Sequence, residues 1–255
     1  MGIINATPDS FSDGGRHDSA EAAIAHGLRL VEEGADILDI GGESTRPGFT
    51  PVAPADEWAR IGPVIGRLAG AVPVPLSVDT YKAETADRAL RAGATIVNDI
   101  WGLQGDAAMA GVVARHGAAL VAMHNRTAAD PQVDILADIE AFFARTLEIA
   151  AQAGIGRDRI VLDPGIGFGK TQAQNVAVLA GLKAFRRFGL PLLVGASRKS
   201  MIGHLTGAPA GARLPGSIAA HVLAVAGGAE IVRVHDVAPH RQALAIADAA
   251  VRGSR

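Results

Sequence analysis

Cysteine is absent from this chain of 255 residues, and aromatic residues make up only 4% of it. Without cysteine, the protein can form neither a disulfide framework nor a thiolate metal site. The absence also fits the reducing cytosol, so we expect a cytoplasmic localisation. Because aromatic rings are so few, alanine, valine, isoleucine and leucine have to fill most of the core.

The chain also lacks a strong charge of either sign. Lysine and arginine number 24 against 26 aspartate and glutamate residues, and the net charge of -2 comes without a basic block or an acidic tail. We therefore expect no nucleic-acid binding through bulk electrostatic attraction. No apolar run approaches the roughly 18 residues that a membrane span requires, and no signal peptide is visible, so we expect no membrane partner either.

Eight short apolar runs are present, and each one ends at or beside a polar residue. Helical patterns fill the intervals, and several of them close at a glycine, which commonly ends a helix. The apolar runs lie at 2–4, 37–40, 76–78, 96–97, 120–123, 160–162, 192–196 and 231–234. The helical patterns lie at 19–33, with Ser19 as its candidate N-cap, and at 56–68, 83–92, 106–115, 135–153, 171–188, 216–226 and 239–252.

Strict alternation of strand and helix predicts parallel strands joined by right-handed crossovers. Eight such units favour closure, so we predict a single α/β domain over residues 1–255, folded as a (β/α)8 barrel of the TIM type. An open doubly wound sheet is the alternative. In a barrel, the polar residues at the strand ends share the rim where active sites form, and the long polar segments 5–18 and 41–55 are predicted functional loops on that rim.

Two carboxylates and one amide follow three of the predicted strands, namely Asp79, Asp163 and Asn98. Asp163 begins the segment DPGIGFGK, whose alternating glycines let the backbone approach a planar ligand closely. In a mostly apolar pocket, the three side chains would suit the edge of a heterocycle with several N–H donors, such as a 2-amino-4-oxopyrimidine. Acid–base catalysis and binding of a divalent metal are open alternatives.

Cationic residues follow the last two predicted strands. Lys199 lies in the segment SRKS and is one of only four lysines in a chain that otherwise uses arginine. Arg233 and His235 alternate in the segment RVH, so they face the same side of the strand. Because barrels commonly bind phosphate near strands 7 and 8, these residues predict an anion site. No role is predicted for His124, which follows strand 5.

Taken together, the motifs of this chain resemble those of the dihydropteroate synthase family. The matching segments occur in family order and are MGIINATPDSFSDGG, DIGGESTRPG, SVDTYK, NDI, MH, DPGIGFGK, SRKS and RVHDV. Each segment is modest alone, but the set is very specific. The family fold is a TIM barrel, as the alternation of strands and helices also predicts. The resemblance implies a transferase of folate biosynthesis that condenses 6-hydroxymethyl-7,8-dihydropterin diphosphate with 4-aminobenzoate to give 7,8-dihydropteroate and diphosphate.

The resemblance also implies a role for each matched residue. The pterin-binding residues would be Asp79, Asn98, Asp163, Lys199 and Arg233. The diphosphate would contact Asn5, Arg233 and His235, and Asn5 would also be a ligand of the cofactor Mg²⁺. The aminobenzoate side would comprise Phe11, Thr45, Arg46, Phe168 and Ser200, and the catalytic residues would be Asp79, Arg46 and Lys199. Family members are usually homodimers and sulfonamide targets, so we expect both properties.

Two other functions are compatible with a pterin-binding barrel. A methyltetrahydrofolate-dependent methyltransferase would share the fold but would not need the aminobenzoate loops, which are intact here as TPDSFSDGG and ESTRPG. A non-catalytic pterin-binding paralogue would have no need to retain Asn5, Arg46, Lys199, Arg233 and His235. The residues present therefore favour the synthase over both alternatives.

Overall fold

The computed structural model describes residues 1–6, 16–43 and 51–253. The residues Phe11, Thr45 and Arg46, which were assigned to the aminobenzoate side, lie outside this part of the chain. Residues 7–15 of the first predicted rim loop and residues 44–50 of the second lie outside it as well.

Within the described residues, eight parallel strands form a ring. The strands are β1 (Gly2–Asn5), β2 (Leu38–Gly41), β3 (Leu76–Asp79), β4 (Ile96–Asp99), β5 (Ala119–Met123), β6 (Ile160–Asp163), β7 (Leu193–Val194) and β8 (Ile231–Val232). Strands β1 to β6 pair in sequence order, and β7 pairs with β8. Parallel bridges from Leu162 to Leu192 and from Gly2 to Val234 join the two sheets on both sides. The predicted barrel is therefore confirmed, and the open sheet is excluded.

Nine α-helices of the described chain lie between and after these strands. They are α1 (Arg16–Glu32), α2 (Pro54–Ala69), α3 (Ala83–Arg91), α4 (Met109–His116), α5 (Ile135–Gln152), α6 (Gln172–Ala180), α7 (Ser200–Thr206), α8 (Leu214–Ala226) and α9 (Val237–Arg252). No helix of the described residues has both the length and the apolarity to cross a membrane.

Two predictions about helices were wrong, and one helix was not predicted. Helix α1 begins at Arg16, so Ser19 lies inside the helix and is not its N-cap. The pattern at 171–188 is not one helix, because α6 ends at Ala180 and a 3₁₀ segment follows at Leu182–Phe188. Gly181 separates the two, and a Cβ on it would come within 2.8 Å of Leu136. The short helix α7 was not predicted, because its seven residues carry too few apolar positions to show a helical period.

The core lies between the strands and the helices and is almost entirely aliphatic, as the composition predicts. Strand residues such as Ile4, Ile40 and Val78 are fully buried, as expected where helices cover a parallel sheet. Among the few aromatic rings, Phe143 packs edge-on against Phe185, with 5.7 Å between the two ring centroids.

Strand register brings Asn5, Asp79 and Asn98 to one level at the carboxyl rim. Asn5 pairs in register with Gly41, Gly41 with Asp79, and Asp79 with Asn98. Asp163 ends β6, further round the ring. The sequence-based expectation that these strand ends meet on one rim is therefore confirmed.

Candidate active site

The centre of the rim is a buried cluster in which one cation joins two carboxylates. Arg233, just after β8, donates from Nε to Oδ2 of Asp39 at 2.5 Å and from a terminal nitrogen to Oδ2 of Asp79 at 2.7 Å. The Oδ2 atom of Asp39 also accepts from the side-chain amide of Asn98 at 3.0 Å. The cluster thus connects the ends of four strands across the mouth of the barrel.

Sequence reasoning missed Asp39, although it orients two of the predicted binding residues. Its side chain is fully buried in β2. The available signal was a carboxylate inside the apolar run at 37–40, because a buried aspartate almost always has a partner. Within the described residues, Oδ1 of Asp39 and Oδ1 of Asp79 are buried without a hydrogen-bond partner. Two acceptors therefore remain at the rim for a ligand that brings N–H donors.

Burial raises the pKa values of the two carboxyls that were assigned to the pterin. For Asp79 burial raises the pKa to about 7; Arg233 opposes this rise and Asp39 adds to it. For Asp163 burial raises the pKa to about 6, and the hydrogen bond from the Gly165 amide opposes the rise. Both groups can therefore exchange a proton near neutral pH, as residues of functional sites often do.

The glycine-rich loop after β6 holds Lys199 beside the rim. Oδ1 of Asp163 accepts from the Gly165 amide at 2.8 Å, which turns the loop back towards the strand end. A Cβ on Gly167 would lie 2.8 Å from Cδ of Lys199. The Nζ atom of Lys199 lies 3.9 Å from the ring centroid of Phe168, within the range of a cation–π contact. The alternating glycines thus serve close packing around a lysine.

The Ser197 hydroxyl contacts both the backbone and the ring of His235. The backbone N–H of His235 donates to the Ser197 hydroxyl at 3.2 Å, and that hydroxyl lies 2.9 Å from Nδ1 of the same histidine. Burial, together with the nearby Arg198 and Arg233, lowers the pKa of His235 to about 4, so the ring is neutral at pH 7. If the hydroxyl donates to Nδ1, Nε2 carries the proton and can donate to an anion.

A pair of buried histidines, His221 and His240, links the segments that follow β7 and β8. Nε2 of His221 accepts from the backbone N–H of Ala196 at 3.0 Å, so its proton lies on Nδ1, 3.0 Å from Nε2 of His240. The other nitrogen of His240 donates to the carbonyl of Asp236 at 2.6 Å. Both rings are buried. This chain of donors ties the end of β7 to the segment that follows β8.

A carboxylate that sequence reasoning left without a role anchors the second rim loop. Oε2 of Glu43 accepts from the backbone N–H of Val52 at 2.7 Å and from Nζ of Lys82 at 2.5 Å, and Oε1 accepts from the Tyr81 hydroxyl at 2.8 Å. Lys82 also donates to Glu57 at 2.8 Å. Because residues 44–50 lie between Glu43 and Val52, one carboxylate holds both ends of that loop.

The donor chemistry of the rim fits a metal ion that is bound mainly through a substrate. In the described part of the chain, no group of three or more His, Cys, Asp or Glu side chains could hold a metal ion. Asn5 offers one half-buried amide at the end of β1. Mg²⁺ prefers oxygen ligands and usually keeps one or two protein ligands together with waters and phosphate oxygens. A single amide at this rim fits that mode of binding.

The remaining predicted residues stand apart from the central cluster. Ser200 begins α7, is exposed, and accepts from the side-chain amide of Gln172 at 3.3 Å. His124, for which no role was predicted, is buried and lies beside Asp138 and Lys170. The roles assigned to Phe11, Thr45 and Arg46 stay predictions, because those residues lie outside the described chain.

Comparisons with known proteins agree on one family. Residues 1–235 match the family model described as "Pterin binding enzyme". The chain is 47% identical to the dihydropteroate synthase of Bacillus subtilis (strain 168), over 93% of this chain and 83% of the relative.

Two solved structures superpose closely on this fold. A Clostridium difficile dihydropteroate synthase determined in the presence of pteroic acid has a TM-score of 0.96 at 46% identity, covering 99% of this chain and 96% of its own. The Xanthomonas albilineans enzyme with 4-aminobenzoic acid has a TM-score of 0.95 at 48% identity, covering 100% of this chain and 93% of its own.

The raised pKa of Asp79 predicts a specific dependence of stability on pH. Its pKa is 3.8 in the unfolded reference and about 7 in the fold. Folding therefore favours the protonated form, and this contribution to stability is complete below about pH 4 and is lost as the pH rises through about 7. In Asp79→Asn this titration is absent, so the melting temperature of the wild type should fall relative to that of the variant across this interval. Thermal denaturation followed by circular dichroism measures the difference.

The exposed Glu148 provides the control, since Glu148→Gln should follow the wild type at every pH. If the melting temperatures of the wild type and Asp79→Asn changed with pH in parallel, the raised pKa of Asp79 would be contradicted.

Proposed function

We propose how this chain works from the premise that it belongs to the dihydropteroate synthase family of pterin-binding enzymes. It condenses 6-hydroxymethyl-7,8-dihydropterin diphosphate with 4-aminobenzoate, and the products are 7,8-dihydropteroate and diphosphate. One observation of this chain carries the mechanism best: carboxylates and an amide from separate strands meet at one rim around the guanidinium of Arg233.

Hydrogen-bond donors and acceptors at this rim would bind the pterin. Asp79, Asp163 and Asn98 would accept from and donate to the edge of the pterin ring. The partnerless Oδ1 of Asp79 supports this assignment, since a buried acceptor is costly until a donor arrives. Arg233 would stack on the ring, because its hydrogen bonds to Asp39 and Asp79 lie in the plane of the guanidinium and leave its faces for stacking.

The diphosphate would bind where the cations and the fixed histidine lie. Arg233 supplies charge, and Nε2 of His235 supplies a donor when the Ser197 hydroxyl donates to Nδ1 of the same ring. We propose Asn5 as the protein ligand of Mg²⁺. When bound, Mg²⁺ would supply positive charge to the phosphate oxygens. The neutral state of His235 is suited to this position, because the ring donates a hydrogen bond without needing to be protonated.

Loss of diphosphate from the methylene carbon is the difficult part of the reaction. The arylamine is neutral at pH 7 and already nucleophilic, so no strong general base is required. Charge that develops on the leaving group would be stabilised by Arg233 and His235, in the manner of a preorganised anion site. An ionised Asp79 would stabilise positive charge that develops on the pterin side.

The aminobenzoate would bind on the side of Lys199. Its contact with the Phe168 ring supports this proposal, because together they offer a cation and an apolar face for a benzoate. Ser200, two residues from the exposed Arg198, lies at the start of α7. Phe11, Thr45 and Arg46 are proposed to complete this side, with Arg46 acting in catalysis.

The direct test of the function uses the purified chain with dihydropterin diphosphate. Diphosphate release should require both 4-aminobenzoate and Mg²⁺, and dihydropteroate should form in equal amount. Lys199→Ala should raise the KM for the pterin substrate at least tenfold, as expected when a charged hydrogen bond is lost. Lys183→Ala, at an exposed position, is the matched control.

Each component of this proposal has its own contradicting result. Release at the same rate without aminobenzoate would indicate a diphosphate hydrolase and overturn the synthase. Undiminished turnover in excess EDTA would overturn the role of Mg²⁺ alone. An unchanged KM in Lys199→Ala would remove Lys199 from the substrate site.

We also propose that the chain is a cytoplasmic homodimer. Support for the dimer comes from large apolar side chains exposed on the last three helices, namely Leu205 on α7, Leu223 on α8 and Ile246 on α9, at 63%, 59% and 72% exposure. Exposed apolar residues on adjacent helices are typical of an association surface. Sedimentation velocity should give twice the mass of the 26.1 kDa chain, and Leu223→Lys should shift it towards the monomer. A monomeric wild type at micromolar concentration would contradict the proposal.

A further inference from the structure

Lys170 is a buried lysine that lies outside the rim cluster, at the end of the glycine-rich loop. It is only 8% exposed. Its Nζ atom lies 2.8 Å from the carbonyl of Gly165, 3.1 Å from the carbonyl of Phe168 and 2.8 Å from Nδ1 of His124. Three acceptors match the three hydrogens of an ammonium group, so every donor of the side chain has a partner. Burial lowers the pKa of Lys170 to about 7, and Asp163 opposes this fall.

The histidine in this contact is set to accept. Burial and the charge of the neighbouring Lys170 lower the pKa of His124 to about 4, so the ring is neutral at pH 7. Nε2 lies 2.9 Å from Oδ2 of Asp138, a carboxylate that can only accept, so Nε2 holds the proton and Nδ1 accepts from Lys170. Arg126 donates to the same Oδ2 atom at 2.8 Å. Hydrogen bonds thus run from Lys170 through His124 to helix α5.

The backbone of the loop packs against neighbours on two sides. A Cβ on Gly165 would collide with the carbonyl oxygen of His124, so the loop lies directly against the end of β5. On the other side, Gly167 (φ +86°) touches the side chain of Lys199, with its would-be Cβ 3.2 Å from Nζ. The Phe168 ring lies 3.9 Å from the same Nζ atom. The place of Lys199 therefore depends on where the loop lies.

We propose that Lys170 is a positioning residue, which acts through the carbonyls of Gly165 and Phe168 to hold the loop and thereby sets Lys199 over the Phe168 ring. The role in turnover rests on the proposed function of Lys199 and Phe168, whereas the geometric claim does not. Lys170 itself does not touch the substrate in this scheme. Its amine is held by three protein acceptors, which leaves it no hydrogen to donate elsewhere.

Lysine resonances provide a test that needs no turnover. The chain has only four lysines, Lys82, Lys170, Lys183 and Lys199, so a lysine labelled with ¹³C at Cε gives four signals. The ring current of Phe168 should displace the Lys199 signal upfield, and Phe168→Leu gives the position without the ring. In Lys170→Met, which keeps the length of the side chain but removes its donors, the Lys199 signal should move at least halfway to that position. Lys183→Met, at an exposed site, should leave it in place.

Kinetics adds a second readout on the same variants. In Lys170→Met, the KM values for both substrates should rise about tenfold, the scale of one charge-assisted hydrogen bond, while Lys183→Met matches the wild type. A folded Lys170→Met with an unmoved Lys199 signal would overturn the positioning role, whatever its kinetics. A moved signal with unchanged KM values would overturn the link to turnover. An inactive wild type with the expected shift would count against the proposed function alone.

A milder variant keeps the test decisive if Lys170→Met does not fold. Asp138 is part-exposed on α5, and Asp138→Asn no longer requires the proton of His124 to sit on Nε2. The Lys199 signal should then move in the same direction by a smaller amount. An unmoved signal in Asp138→Asn would overturn the proposal in that case.

Discussion

The guanidinium of Arg233 is shared by two buried carboxylates, and the arrangement of the rim depends on this contact. Asp39 and Asp79 come from adjacent strands, so without a cation their charges would repel each other across a few ångströms of low-dielectric interior. Loss of one partner from such a buried pair typically costs about 3–5 kcal/mol. The shared cation lets the barrel keep two acceptors beside each other, and we propose that the same cation also binds the anionic substrate.

Buried histidines and a serine hold the segments around the Arg233 cluster. The pair of His221 and His240 ties β7 to the segment after β8, and Ser197 fixes the ring of His235. Burial keeps His235 and His221 neutral at pH 7, by lowering their pKa values to about 4 and about 3. A neutral imidazole has one N–H donor and one nitrogen acceptor, so each ring can accept a hydrogen bond from one neighbour and donate one to another. The His221–His240 pair thereby connects the segments that carry Ser197 and His235.

The sequence was enough to predict the barrel. It was also enough to predict that Asp79, Asn98 and Asp163 lie on one rim, because the carboxyl ends of all strands in a closed parallel barrel lie at the same end. It could not reveal Asp39 as the partner of Arg233, since these residues are 194 positions apart and only ring closure brings them together. The network of Lys170 and His124 was missed for the same reason. Local patterns place a residue on an element, whereas side-chain partners depend on packing between elements.

The central claim is that the carboxylates of this rim bind the pterin through hydrogen bonds. Isothermal titration calorimetry with 6-hydroxymethyl-7,8-dihydropterin diphosphate, in the presence of Mg²⁺, measures this most directly in the wild type, Asp163→Asn and the surface variant Glu148→Gln. The account predicts that the Kd rises about tenfold or more in Asp163→Asn, because a hydrogen bond to a charged acceptor is lost, and that Glu148→Gln matches the wild type. A Kd within twofold of the wild type in a folded Asp163→Asn protein would contradict it.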